Sequence, residues 1–172
     1  MEFYEETLNS KCIYDGKVIK VRVEDVKLPN GKVSKREIVD HVGAVAIVAF
    51  KDENTIILVK QFRKALDEIL TEIPAGKLEL NENPKEAAIR ELEEETGYKA
   101  KKVEFLGKIA TSVGFCNEIV HIFKATELYE GKLNFDEDEF IELEEVKLNE
   151  VKTRIRNGEI IDGKTVAAMA LI

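Results

Sequence analysis

The densest chemistry in the chain is carried by three glutamates, Glu91, Glu94 and Glu95, in the segment Asn83–Gly97. Asn83 suits a helix N-cap, Pro84 the first helical position and Gly97 the position just past the end, so the segment reads as a helix. At 3.6 residues per turn the three carboxylates fall within an arc of roughly 100°. Ala88, Ile89 and Leu92 form the adjoining apolar stripe, which sets the acids at the edge of a core. Ala87 lies between them and is small enough to leave room for a bound group, while Glu86 and Glu93 are expected to face solvent. Like charges at these spacings repel by roughly a few tenths of a kcal/mol each when exposed, and more beside a low-dielectric core. Arg90 can offset part of this through Glu86 and Glu94, but one cation does not neutralise three acids. A hard divalent cation, which takes oxygen ligands, explains the spacing economically. On the helix alone, a solvated acidic face in a Glu-rich chain is the competing reading.

Composition sets limits on the partners of such a site. The chain has 172 residues with 26 Lys+Arg against 34 Asp+Glu, a formal charge of −8, which argues against tight nucleic-acid binding or docking on an anionic membrane. An anionic substrate would therefore need local cations. The longest apolar run, Val42 to Phe50, is too short for a membrane span. The opening residues Met1-Glu2-Phe3-Tyr4-Glu5-Glu6 lack the features of a secretory signal. With only Cys12 and Cys116, the expectation is a cytoplasmic protein with two reduced thiols.

The elements that must position the acids follow from patterning. Val21–Leu28 and Val33–Val39 flank Pro29-Asn30-Gly31 and read as a hairpin, with Asn-Gly supplying positive φ angles. Val42–Phe50 reads as a strand buried on both faces, followed by Thr55–Phe62 and by a short strand Ile69–Ile73 that Pro74-Ala75-Gly76 breaks. Strand-like segments recur at Lys102–Ala110, Glu118–Ala125 and Phe140–Val146, and helical ones at Leu148–Arg156 and Gly163–Ile172. Strands and helices mix without strict alternation, which gives an α+β class with helices packed on a mixed sheet.

Reading outward from the acids gives Gly76, five residues, Glu82, seven residues, then Arg90-Glu91-Leu92-Glu93-Glu94-Glu95-Thr96-Gly97-Tyr98. This resembles the Nudix box, G-x5-E-x7-R-E-U-x-E-E-x-G-U with U a bulky aliphatic residue. All seven fixed letters match, and Tyr98 departs only at a packing position. The resemblance implies an α/β/α sandwich with a mixed β-sheet flanked by helices. It also implies that Glu91 and Glu95 are principal ligands of Mg²⁺, with Mn²⁺ able to substitute, that Glu94 supports or bridges, and that the Ala75 carbonyl contributes. Arg90 would orient the carboxylates and Glu82 would be peripheral. The family typically cuts the pyrophosphate of a nucleoside diphosphate linked to another group. Divalent ions suit that chemistry because they neutralise phosphate oxygens, polarise phosphorus and acidify a nearby water.

Further segments resemble ADP-ribose pyrophosphatases within the family: Tyr14-Asp15-Gly16, Leu28-Pro29-Asn30-Gly31, Arg36-Glu37, Val42-Gly43-Ala44-Val45-Ala46, Gln61-Phe62-Arg63 and Glu72-Ile73-Pro74-Ala75-Gly76-Lys77. The resemblance implies that Arg36 and Arg63, with Glu72, contact substrate. A guanidinium fork suits phosphate oxygens. The acidic segment Phe135-Asp136-Glu137-Asp138-Glu139-Phe140 resembles the subfamily's acidic loop, which assigns a general base and a further metal ligand to Glu137 and Glu139 without separating them. Val113, in Ser112-Val113-Gly114-Phe115, stands where these enzymes usually carry proline, which admits other nucleoside diphosphate sugars beside ADP-ribose. Subfamily members are generally homodimers built through their N-terminal strands, so residues 1–41 are expected to be a dimer-forming antiparallel strand region and 42–172 the Nudix hydrolase domain. The alternatives are hydrolysis of another nucleoside diphosphate derivative, or a module that senses such a nucleotide without cutting it.

Three features fit no catalytic pattern. His41 and His121 lack ligand spacing, Cys116 has no base beside it, and Asp162-Gly163-Lys164-Thr165 lacks the first glycine of a phosphate loop and reads as a helix start.

Overall fold

The computed structural model describes residues 3–133 and 140–172, which cluster into two compact units. The first spans Met1–Gly43 and Ala110–Ile119, the second Ala44–Ile109 and Val120–Ile172.

The first unit is an antiparallel sheet of three strands in sequence order, β1 (Glu6–Asp15), β2 (Ile19–Lys27) and β3 (Val33–His41). The expected hairpin is present, with Lys27 opposite Val33, but its turn differs in detail. The Gly31 amide donates to the Leu28 carbonyl at 2.8 Å, and of the two central candidates only Gly31 has a positive φ, at 82°. Proline at the second position explains this, because its ring fixes φ near −65° and favours an ordinary turn closed by a left-handed glycine. Strand β1 was not foreseen as a separate strand. It is exposed along its whole length and so carries no burial pattern. Residues 110–119 join this unit through Asn117, whose side chain accepts from the His41 amide at 2.8 Å and donates to Asp40 at 2.8 Å. The Val39 amide donates to the Phe115 carbonyl at 2.7 Å.

The second unit holds a seven-stranded mixed sheet. Its path runs β10 (Ile141–Lys147), β5 (Thr55–Arg63), β4 (Ala44–Phe50), β9 (Ile119–Glu130), β8 (Tyr98–Ala110), with β6 (Glu68–Glu72) beside β5 and β7 (Ala75–Lys77) beside β4. Strands β4 and β9 are parallel, while β4 is antiparallel to β5 and β7. Alternation along β4 builds two cores. Ala46, Val48 and Phe50 pack on one face with residues of α2 (Leu148–Arg156) and α3 (Gly163–Ala168). Val45, Ile47 and Ala49 pack on the other with Ala87, Ala88 and Leu92 of α1 (Pro84–Thr96). Helices thus cover both faces of a central strand that is buried from Val45 to Phe50, the α/β/α arrangement that a continuous apolar run demands.

Several boundaries move. Val42 is exposed and precedes the strand. The segment Pro74-Ala75-Gly76 does not simply break the chain, because Ala75–Lys77 forms a three-residue strand against β4. So short a strand carries no periodicity. Helix α3 ends at Ala168 rather than Ile172. Among the described residues no helix is long and apolar enough to cross a membrane.

Candidate active site

Helix α1 begins as its caps dictate. The Asn83 side chain accepts from the Lys85 amide at 2.9 Å, Pro84 takes the first helical position, and Gly97 closes the far end at φ 70°, its amide donating to the Glu93 carbonyl. Burial of Ala87, Ala88 and Leu92 against β4 then fixes the rotation of the helix and sets Glu91 and Glu95 beside β7. Three expectations about this helix need correction. Ala87 is fully buried in the core and leaves no room for a ligand, whereas Ile89 is partly exposed. Glu93 does not face open solvent. It pairs with Lys99 at 3.1 Å and accepts from the Lys132 amide at 3.1 Å, and both contacts hold its carboxyl below the usual range.

The acids converge on the backbone of β7. Glu95, only 3% exposed, accepts from the Ala75 amide through Oε2 at 2.9 Å. The Glu91 carboxylate lies against Gly76 so closely that a Cβ there would stand 1.9 Å from its Cδ. Only glycine fits that approach, which is the physical content of the glycine spaced fifteen residues upstream. The Pro74 carbonyl accepts from the Ile47 amide at 2.8 Å, so this backbone is tied to the central strand.

Arg90 is the counter-charge. Its Nε and Nη2 donate to the two oxygens of Glu82 at 2.9 Å each, and its Nη1 donates to Glu91 at 2.7 Å and Glu94 at 2.9 Å. Glu82 is thus the bidentate partner of Arg90, where helical spacing had pointed to Glu86. The hydrogen bonds from Arg90 hold the Glu82 carboxyl below its ordinary range. The guanidinium itself is pushed up, first by Glu82 and further by Glu91 and Glu94. One cation therefore serves three carboxylates, Glu82, Glu91 and Glu94.

These residues fit a hard cation by the chemistry of their donors. All are oxygens, the donors a hard cation takes, and a glycine stands where the Glu91 carboxylate meets the backbone. Among the described residues, no group of three or more His, Cys, Asp or Glu side chains is arranged as a ready metal cluster. Arg90 draws Glu91 and Glu94 to itself while Glu95 is turned to an amide. A groove of about 580 Å³ runs along this helix beside Arg90 and Glu94, bounded by Lys132 and Leu133.

The remaining candidates fall in different places. Arg63 ends β5 and makes a bidentate pair with Glu72 at 2.7 and 2.6 Å. Glu72 is 1% exposed and also receives Lys164. Burial alone would push its carboxyl up, but the two cations outweigh this and hold it low. Arg36 lies on β3 in the other unit and pairs with Glu5 at 2.6 Å. Glu137 and Glu139 lie outside the described residues. Lys164 was passed over in the sequence as a mere helix start. Its only signal was Asp162, a good N-cap, which accepts from the Thr165 amide at 3.0 Å.

Replacing Gly76 by alanine forces the Glu91 carboxylate away from β7. We expect Gly76→Ala to lower Mn²⁺ affinity by at least about tenfold, as loss of supporting geometry at a metal site does, with far-ultraviolet circular dichroism unchanged. Equal affinity in a titration would show that Glu91 is not a ligand.

Comparison with known proteins gives the family. A model of the NUDIX domain matches residues 39–168, and a model of the nucleoside diphosphate sugar hydrolase N-terminal domain matches residues 5–39. An ADP-ribose pyrophosphatase of Bacillus subtilis (strain 168) is 54% identical over 96% of this chain and 90% of its own. A methanol dehydrogenase activator of Bacillus methanolicus is 49% identical over 97% and 91%. A crystal structure of an ADP compounds hydrolase shares the fold with a TM-score of 0.88 at 22% identity, covering 99% of this chain and 94% of that one. With its box glycine, acids and arginine drawn together at one helix edge and the domain matched over most of its length, the chain belongs to the Nudix family.

Proposed function

We propose that the protein is a metal-dependent pyrophosphohydrolase that cuts the diphosphate of ADP-ribose, or of a closely related nucleoside diphosphate sugar, to AMP and a sugar phosphate. The observation that carries this reading is that Glu91 and Glu95 lie against β7 while Arg90 bonds Glu91 and Glu94 beside them. Similarity to the ADP-ribose pyrophosphatase over nearly the whole chain supports the substrate class.

In this reading the Ala75 carbonyl, Glu91, Glu94, Glu95 and Glu139 hold Mg²⁺, for which Mn²⁺ can substitute. The bound cation supplies charge neutralisation at the phosphate oxygens and polarisation of phosphorus. The residues of the chain do the rest. Arg90 keeps Glu91 and Glu94 oriented. Arg63, held by Glu72, offers guanidinium donors to the substrate's phosphates and terminal ribose region, and in a homodimer Arg36 would offer its own to the substrate of the partner protomer. Glu137 or Glu139 accepts the proton as a water oxygen bonds to phosphorus and one P–O bond of the anhydride breaks.

A screen of nucleoside diphosphate derivatives should place ADP-ribose at or near the top, with activity lost on chelation and restored by Mg²⁺. A preference for nucleoside triphosphates would defeat the substrate class. The similarity to the methanol dehydrogenase activator favours a second reading, in which the protein acts by stimulating such a dehydrogenase. Stimulation by a preparation that hydrolyses no nucleotide derivative would put that reading first.

Glu137→Gln combined with Glu139→Gln should cut kcat by about 100-fold or more, the range of general-base catalysis, while titratable Mn²⁺ binding persists. Full activity in the double variant would place the base elsewhere. The fully exposed β1 and the exposed Leu8, Ile13 and Tyr14 upon it support a homodimer formed through the N-terminal strands. Light scattering at the monomer mass, from a fully active sample, would remove that proposal.

A further inference from the structure

The Asp162-Gly163-Lys164-Thr165 turn is not a phosphate loop, yet the structure gives it a place beside the site. Lys164, with only 13% of its side chain exposed, donates to Glu72 and to Asp162, the latter at 3.1 Å. Asp162 accepts from the Thr165 hydroxyl at 2.6 Å, and Thr165 Oγ1 in turn accepts from the Ile73 amide at 2.8 Å. Two adjacent residues, Glu72 and Ile73, are thus fastened to the start of α3. Three residues on, Gly76 receives the Glu91 carboxylate.

The charge pattern is specific. Glu72 Oε2 is shared by Lys164 and by Arg63 Nη2, while Glu72 Oε1 is taken by Arg63 Nε. Among the described residues, Arg63 Nη1 donates to none of these oxygens, and the side chain is 38% exposed. With Arg63 alone, a buried carboxylate can rotate about its last bond, and a half-exposed arginine can follow it. A second cation on Oε2, itself anchored by Asp162, removes that freedom.

We propose that Lys164 is a positioning residue that acts through Glu72 to fix the guanidinium of Arg63, so that its free edge stands ready for an anionic group of the substrate. This rests on the reading of Arg63 as a substrate residue. Lys164 itself contacts no substrate in this scheme. Its contribution is preorganisation, which shows in binding rather than in the chemical step.

The test compares wild type with K164M, K164R and the pair E72Q/K164M, using ADP-ribose with Mg²⁺. K164M should raise KM by about tenfold, the equivalent of one charge-assisted hydrogen bond, with kcat within about twofold, the pattern of a lost binding interaction. K164R, which can still bridge Glu72 and Asp162, should restore KM. K164M should also lower Tm, because it leaves the buried Glu72 with one cation fewer. E72Q/K164M should recover Tm but keep the raised KM, a split that a merely structural brace would not produce. If K164M does not fold, the pair carries the same readout.

A second measurement needs no substrate. Hydrogen exchange at the Arg63 Nε–H, followed by ¹⁵N NMR, should be faster in K164M and in the pair than in wild type. An unchanged KM, or an Arg63 Nε–H protected as in wild type, overturns the proposal. Absence of any hydrolysis by wild type would defeat the pyrophosphohydrolase reading instead, and the exchange rate would still decide whether Lys164 orders Arg63.

Discussion

Repulsion among carboxylates held at the edge of a buried surface is the constraint on which this structure turns. Two unit charges about 4 Å apart interact by roughly 4 kcal/mol at the effective dielectric of a protein surface. Glu91, Glu94 and Glu95 cannot relieve this by moving apart, because Ala87, Ala88 and Leu92 pin α1 to β4. The relief is local. Arg90 bonds Glu91 and Glu94 while Glu82 grips it from the other side, and Glu95 takes an amide of β7. A face that was merely solvated would leave its acids in water. Here Glu95 is buried and the Glu91 carboxylate lies directly against the Gly76 backbone.

The same constraint explains why the backbone from Glu72 to Lys77 is held so firmly. Carboxylates that use a strand as their support need that strand not to move. Ile73 is fastened to Thr165, Pro74 to the central strand, Ala75 to Glu95, and Ala75–Lys77 pair with Ala44–Ala46. These partners come from α3, β4 and α1, so both layers of helices and the middle of the sheet converge on six residues. A site built on such regular elements keeps its geometry better than one hung on loops.

Much of this was legible in the sequence, and the exceptions have physical reasons. The caps of α1 could be read because Asn83, Pro84 and Gly97 each satisfy a backbone requirement particular to a helix end. Strand β4 could be read because burial on both faces leaves an unbroken apolar run. Strand β1 could not, since exposure on both faces removes the alternation that marks a strand. Strand β7 is too short to have a period, yet it is the support of the site. The acids themselves were visible from spacing, but their partners were not. Helical spacing suggested Glu86 as the partner of Arg90, whereas Glu82 reaches it from the loop before the helix. Lys164 was invisible for a stronger reason. It meets Glu72 across 92 positions of chain, and no local pattern encodes a contact of that separation.

Opposite charges also bring the two polar groups at this backbone into one system. Glu72 gathers Arg63 and Lys164 at one end of the segment, while Glu91 and Glu95 crowd the other. The groups feel each other, since Glu95 helps push the Arg63 guanidinium up, after the larger effect of its bond to Glu72. In a chain of net charge −8, Arg63 and Lys164 concentrate positive charge at one end of this segment.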